Sequence, residues 1–289
     1  MFPTLLVMLA LDDRDATVLD AVVAGAGPLG ARRVIVAHVF ARDTAPAFLG
    51  GAGADPARPA ALDAALESLR ARLPSLEVTG LHAAGNPAEE LGRIATAEDV
   101  DLLILGRQPA EDGETAWGPH GRSLLRSIAC SALIVPRGAA LLFDEAVVGL
   151  DFSHNSTAAL RAAAALCGAV NALYQYDPRV VDASRQTTTE FEAELATNAR
   201  RHFEEDVLPA VGAARPPSLT IVPGTEPSRT LAAHAGGRLL VVGSRGLSRL
   251  AALLLGSTAE GLAGRSEGPV LIVRAKGEAL GVLEGLFHR

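Results

Sequence analysis

Cysteine is scarce: the chain has 2 in 289 residues, Cys130 and Cys167. Two thiols build neither a disulfide framework nor a four-ligand zinc site. Both stand in apolar company, in Ser127-Ile128-Ala129-Cys130 and Ala164-Ala165-Leu166-Cys167. They are expected to be small buried hydrophobes in a reducing, cytoplasmic setting. Aromatic residues make up only 4%, which excludes a stacking platform for single-stranded nucleic acid. Positive charge is in deficit, with 26 basic residues against 33 acidic ones and a formal net charge of -7. That balance runs against a nucleic-acid binder, whose affinity comes from neutralising phosphates. No apolar run approaches the ~20 residues that a membrane helix needs, so membrane insertion is not expected. The apolar stretch from Leu5 to Leu11 has no basic region before it and no small-residue cleavage site after it. It ends at Asp12 and Asp13 and is expected to be a buried strand rather than a signal peptide.

The chain repeats itself. Leu9-Ala10-Leu11-Asp12 has an echo in Val148-Gly149-Leu150-Asp151, and Gly85-Asn86-Pro87-Ala88 in Gly224-Thr225-Glu226-Pro227. Leu102-Leu103-Ile104-Leu105-Gly106 returns as Leu239-Leu240-Val241-Val242-Gly243, and Leu133-Ile134-Val135-Pro136 as Leu271-Ile272-Val273-Arg274. Four echoes in one order at one offset mark a duplicated domain. The expected domains are 1–139 and 144–275, joined near Arg137–Phe143, with a tail at 276–289 that has the apolar spacing of a short helix. Residues 42–57, rich in Ala, Gly and Pro, read as a loop.

Within each repeat, short apolar runs alternate with amphipathic stretches. In the first, runs at 4–11, 33–40, 76–83, 101–106 and 132–136 read as strands buried on both faces of a parallel sheet. Stretches at 15–28, 58–73, 87–97 and 119–129 read as helices. The second repeat follows the same plan, and its longest helix carries Phe191, Leu195, Ala199, Phe203, Val207 and Val211 as a one-sided core stripe. The fold class is α/β: two open parallel-sheet sandwiches in tandem, five strands each, with flanking helices.

In an open parallel sheet, ligands bind beyond the C-terminal ends of the strands, near the point where the strand order reverses. The fourth strand of repeat two is followed by Gly243-Ser244-Arg245-Gly246, and after nine intervening residues by Gly256-Ser257-Thr258. The glycines let backbone approach a ligand closely. Ser257 with Glu260 has the spacing of a capping box and places a helix start there. A helix start offers N–H groups and partial positive charge to an anion, and Arg245 and Arg249 add to it. The pattern is neither a Walker loop nor the dinucleotide glycine fingerprint.

Gly243-x2-Gly246-x9-Gly256-Ser257 resembles the nucleotide-binding signature of the universal stress protein family. The resemblance extends to strand ends at Asp12 and Asp151, to Thr17 and Ser156 in the helix starts, to Ala37-His38-Val39-Phe40 and to Gly85-Asn86-Pro87-Ala88-Glu89. The whole chain resembles a tandem universal stress protein, which implies a Rossmann-like fold of the adenine nucleotide alpha hydrolase type. The resemblance implies that Gly243, Gly246, Gly256, Ser257 and Thr258 hold phosphates and ribose of ATP or a related adenine nucleotide. It implies that Asp151 lies near adenine and ribose and that Gln175 meets adenine through its backbone. Asp151 either helps to hold Mg²⁺ against the phosphates or caps the helix.

Repeat one departs from the signature, with Pro109 in place of the second glycine and Gly118-Pro119-His120 in place of Gly-Ser-Thr. Proline supplies no N–H, and Glu111, Asp112 and Glu114 repel phosphate. Its Asp12, Val39, Gly106 and Gly118 are expected to form a degenerate site that does not bind ATP as repeat two does.

The remaining candidates are few. His38 reads as a core histidine and His120, beside Trp117 and Arg122, as a surface loop residue. His154 is either a helix-entry residue or a ligand contact. No Gly-x-Ser-x-Gly nucleophile elbow occurs, and adjacent Asp12 and Asp13 would point to opposite sides of a strand. The expected function is a nucleotide-responsive stress protein without fast catalysis. A slow hydrolase or phosphotransferase using His154 as base, and an interaction scaffold with a vestigial cradle, are the alternatives. Family dimers associate through their last strands, which implies an intramolecular pseudo-dimer through Leu133–Val135 and Leu271–Val273. Further homodimerisation and the protein partner stay open.

Overall fold

The computed structural model describes residues 1–12, 15–40, 57–107, 119–179, 187–245 and 255–274. The chain divides into one unit built on Met1–Leu141 and another on Leu142–Ala275. Residues 42–56 of the expected loop and the tail 276–289 lie outside the described residues.

The first unit contains strands β1 (Thr4–Met8), β2 (Arg33–Phe40), β3 (Glu77–Ala84), β4 (Leu102–Arg107) and β5 (Ser131–Pro136). They pair in parallel in the order β3-β2-β1-β4-β5. Its helices are α1 (Asp15–Leu29), α2 (Ala57–Arg72), α3 (Pro87–Ala97) and α4 (Pro119–Ser127). Helix α1 packs on β4, β5 and α2, while α3 packs on β2 and α4. Strands covered on both faces need no polar alternation. Accordingly Leu5, Leu6 and Val7 in β1 and Leu102, Leu103 and Ile104 in β4 are fully buried. Helix α1 buries Val18, Ala21, Val22, Gly25, Ala26 and Leu29, a spacing that keeps one face on the sheet. Helix α3 starts where Pro87 needs no N–H partner and the Asn86 side chain accepts from the Ala88 N–H.

The second unit repeats the plan with β6 (Glu145–Leu150), β7 (Ala169–Tyr176), β8 (Ser218–Pro223), β9 (Leu239–Gly243) and β10 (Val270–Val273). These are parallel in the order β10-β9-β6-β7-β8. Its helices are α5 (His154–Leu166), α6 (Thr188–His202), α7 (Leu208–Val211), α8 (Pro227–Ala235) and α9 (Ser257–Arg265). Helices α5 and α7 pack together, and α8 packs against α9. In each unit the chain builds outward on one side and then crosses to the other. The strand order therefore reverses between β1 and β4 and between β6 and β9, where a ligand crevice is expected.

Local chemistry differs from expectation in three places. Strand β1 ends at Met8, not Leu11, because Leu11 turns left-handed at φ 62. The long helical stripe is interrupted by a π-helical turn at Phe203–Val207. Residues spaced by four drift around a 3.6-residue helix, and a wider turn restores their alignment. Ala199, Phe203, Val207 and Val211 are buried as a result, while Phe191 and Leu195 are half-buried. The capping box belongs to Thr187 and Glu190 at the start of α6. Helix α9 has Gly256 as its N-cap and no side-chain cap hydrogen bond, so the capping box expected of Ser257 and Glu260 is corrected.

The strand register also corrects how the two repeats align. Met8 pairs with Leu105 in β4, one residue before Gly106, and Val148 pairs with Val241, two residues before Gly243. Met8 therefore corresponds to Gly149, and Ala10 to Asp151. The backbone agrees, because the next residues, Leu11 and Phe152, both have φ 62. Asp12 is thus not the counterpart of Asp151, as the echo suggested. Apolar strands slide by two residues without changing which side chains face the core, so the match between two aspartates was degenerate.

Cys130 is buried and Cys167 half-buried, and neither forms a disulfide. Burial, helped by the charge of Asp144, pushes the Cys167 thiol up to about 11. Alkylation of Cys167 at pH 8 should therefore run about 100-fold slower in the native chain than in urea. Peptide mapping after a timed iodoacetamide pulse measures this, and equal rates would refute it.

Among the described residues, no helix is long and apolar enough to cross a membrane.

Candidate functional site

In the second unit, the ends of β6, β7 and β9 meet the starts of α5, α8 and α9 around a cleft of about 260 Å³. Asp151, Gln175, Gly243, Arg245, Gly256, Ser257 and Thr258 all line it. These are seven of the eight residues expected to hold a nucleotide. The eighth, Gly246, lies outside the described residues, as does Arg249.

Each lining residue has a local cause. Asp151 follows β6, and its Oδ1 accepts from the Ser153 N–H at 3.1 Å, a two-residue side-chain turn that leads into α5. Ser153 caps α5 by accepting from the Ser156 N–H at 3.2 Å. The Ser156 hydroxyl donates to the Ser153 carbonyl at 3.0 Å and accepts from the Asp151 N–H at 3.3 Å. Asp151 thus does what a helix-entry residue does and still faces the cleft.

Gly243 has a reason to be glycine that its sequence context did not show. A Cβ there would stand 2.8 Å from the backbone C and O of Asn155. The end of β9 packs against the first turn of α5, so glycine is required by the protein before any ligand arrives. The N–H of Gly256 donates to the Ser244 carbonyl at 2.8 Å and ties the two ends of the glycine loop together. That amide is spent within the protein.

Two buried polar atoms in this part of the unit lack a hydrogen-bond partner: Oε1 of the cleft residue Gln175, and Oγ of Ser244, which does not line the cleft. Gln175 packs over Gly224, where a Cβ would fall 2.7 Å from its amide carbon. Orphaned buried acceptors are rare and call for a partner. Sequence reasoning missed Pro227 and Leu231 as lining residues. The echo Gly224–Pro227 was the available signal, since Pro227 opens α8 and lines the cleft. His154 is exposed at the start of α5 and is not among the residues that line the cleft.

In the first unit a crevice of about 140 Å³ overlaps the equivalent place and extends toward β5; it is lined by Ala10, Asp15, Thr17, Gly106, Arg107 and Arg137 among others. Of the expected degenerate set, only Gly106 lines it. Val39 is buried, Asp12 is not a lining residue, and Gly118, like Pro109 and the acidic stretch, lies outside the described residues. Asp15, which sequence reasoning passed over, is only 8% exposed and accepts from three backbone N–H groups. The donors are Ala10 at 3.0 Å, Leu11 at 2.6 Å and Asp12 at 3.3 Å. Burial pushes its carboxyl above the ordinary value, with the three N–H bonds opposing. Burial likewise lowers the Arg107 guanidinium. His38 is buried, with Nδ1 2.9 Å from the Leu9 carbonyl oxygen and Nε2 without a partner. His120 falls in the first turn of α4. Among the described residues, no cluster of His, Cys, Asp or Glu is suited to hold a metal ion by itself.

Comparison with known proteins accords with this architecture. The family model for the universal stress protein family matches residues 1–136 and again residues 143–274. The curated proteins compared give no match. Among solved structures, the chain is similar to a universal stress protein from Archaeoglobus fulgidus, at 19% identity and TM-score 0.61, covering 95% of this chain and 99% of that one. It is similar also to a putative universal stress protein from Pseudomonas aeruginosa, at 17% identity and TM-score 0.69, covering 100% and 98%. A functionally unknown protein from Pseudomonas aeruginosa PAO1 matches at 16% identity and TM-score 0.70, with the same coverage. Identities this low speak for the fold alone, but the double family match covers nearly the whole chain. The chain belongs to the universal stress protein family and carries two of its domains in tandem.

Proposed function

We propose that the cleft of the second unit binds ATP or a related adenine nucleotide, and that the protein acts as a nucleotide-responsive regulator rather than as a catalyst. One observation carries the reading: seven residues scattered from Asp151 to Thr258 converge on one cleft at the point where the strand order reverses. The start of α9 brings Ser257 and Thr258 hydroxyls and the partial positive charge of a helix N-terminus to that cleft. Arg245 adds a full charge, suited to phosphate.

The residues present fit the ligand. Gln175 lines the cleft at the end of β7, where its backbone N–H and carbonyl would meet the adenine edge. Asp151 is the residue that would hold Mg²⁺ beside the phosphates, where the ion would neutralise their charge. His154, the candidate base of the hydrolase alternative, is not among the described residues that line the cleft, which supports the regulatory reading. Asp151 and Arg245 are the titratable side chains among the described lining residues. Regulation requires that the nucleotide bind two states of the protein with different affinity.

The purified chain, denatured and analysed by mass spectrometry, should release adenine nucleotide. Calorimetric titration of ligand-free chain with Mg-ATP should give one site per chain. Asp151→Ala should raise Kd about 10-fold, the size of one charge-assisted contact. Absence of both released nucleotide and binding heat would favour the scaffold reading.

A further inference from the structure

The aligned strand ends show that both repeats carry a carboxylate at this crevice, but at different positions. Repeat two has Asp151 at the strand end and Ser156 one helical turn beyond it. Repeat one has Ala10 and Asp15 at the equivalent places. The hydrogen bonds support the equivalence directly. The Asp151 N–H donates to Ser156 Oγ, and the Ala10 N–H donates to Asp15 Oδ1. Ser156 is 3% exposed and Asp15 8% exposed, and each lines its own crevice. Asp151 is half-exposed at the rim.

The exchange moves a negative charge from the rim of the crevice to its floor. In repeat one the charge sits on the N–H groups of residues 10, 11 and 12, in the turn that leads from β1 into α1. Successive backbone N–H groups that converge in a turn form an anion-binding concavity. Here the chain's own carboxylate occupies them, on the wall of the crevice. In repeat two a neutral hydroxyl stands at that place.

We propose that the pair of equivalent positions 15 and 156 decides which repeat accepts the phosphorylated ligand: Asp15 closes repeat one to anions, and Ser156 keeps repeat two open. This rests on the nucleotide reading of repeat two. It is separate from net charge, since each repeat carries one carboxylate at these places, Asp15 in repeat one and Asp151 in repeat two.

Mg-ATP calorimetry on the full chain tests it. Ser156→Asp should weaken binding about 30-fold, whereas Ser156→Ala should weaken it less than about 3-fold. The charge-neutral exchange Asp151→Ala/Ser156→Asp reproduces a side-chain pair that repeat one already accommodates, and guards against a folding defect. It should bind about 30-fold more weakly than Asp151→Ala alone. The reverse exchange, Ala10→Asp/Asp15→Ser, should raise the stoichiometry from one site to two. If the wild-type chain binds no Mg-ATP, the nucleotide reading falls and takes this inference with it. If the wild-type chain binds but Ser156→Asp keeps its affinity, or loses no more than Ser156→Ala, this inference alone is overturned. A stoichiometry that stays at one in the reverse exchange would overturn it for repeat one and assign the closure to the altered loop.

Discussion

Gly268→Ala should destabilise the second unit by about 3 kcal/mol or more, the upper range for forcing atoms into filled space. Gly268 lies between α9 and β10. A Cβ there would land on the carbonyl oxygen of Gly237, 2.5 Å from the Gly237 carbonyl carbon and 2.6 Å from the Arg238 oxygen. All three are backbone atoms, so no rotamer change relieves the clash. Neither segment can retreat. The Ser266 hydroxyl donates to the Gly268 carbonyl at 2.9 Å, and Ser266 is 1% exposed. On the other side, Gly236 and Gly237 end α8 with φ 54 and 83, and the Leu240 N–H donates to the Pro269 carbonyl. A suitable comparison is Gly261→Ala, whose Cβ would meet only the Ser228 side chain, at 2.8–2.9 Å. The half-buried Ser228 side chain can turn away, and alanine gains about 1 kcal/mol over glycine in a helix, so that variant should stay within about 1 kcal/mol of wild type. Both tyrosines, Tyr174 and Tyr176, lie in the second unit, so near-ultraviolet circular dichroism from tyrosine follows its melting selectively. A fall in Tm of about 10 °C is expected for Gly268→Ala. Equal shifts for the two variants would show that the backbone contact does not matter.

The sequence made the fold legible because parallel strands covered on both faces leave an unbroken apolar signal. Runs such as Leu102–Leu105 and Leu239–Val242 cannot be read another way at that length. Helix α3 was legible to the residue, since Asn86-Pro87 is a start signal with one mechanism. What failed was whatever depends on chain geometry rather than on residue type. Nothing in Leu11 or Phe152 announces a left-handed backbone, for bulky residues seldom adopt it. Missing that turn made β1 too long and let Asp12 masquerade as the partner of Asp151. Capping followed the same pattern. Ser257 and Glu260 have the right types at the right spacing, yet Gly256 took the cap, which leaves the Ser257 hydroxyl to line the cleft.

The candidate site divides in a similar way. Its loop residues were legible because the glycine spacing and the resemblance both pointed to them. The roles of individual residues were not, because a glycine can serve ligand or packing equally well. Asp15 shows the opposite failure. One acidic residue at a helix start reads as ordinary dipole compensation, and only the three N–H groups that converge on it reveal that it fills the crevice.

Gly243→Ala joins the two themes and should weaken Mg-ATP binding about 100-fold, a loss of about 2.7 kcal/mol. The methyl group would press on Asn155 C and O at 2.8 Å and on Asn155 Cβ at 2.9 Å. Replacing the Asn155 side chain cannot relieve contacts with its own backbone, so α5 must shift at its first turn. That turn holds Ser153 and Ser156, which bond to Asp151 and position it at the cleft. The substitution therefore acts twice, by narrowing the cleft at β9 and by moving Asp151 away from its place at the end of β6. Gly224→Ala separates the two effects. Its Cβ would meet side-chain atoms, the Gln175 amide at 2.7 Å and Thr230 Oγ1 at 3.0 Å, which can give way. That variant should lose affinity only about 5-fold, through displacement of Gln175 alone. Tyrosine circular dichroism confirms that both variants are folded before titration. A folded Gly243→Ala chain that binds like the wild type would mean that the strand end does not border the nucleotide, and would move the site elsewhere in the second unit.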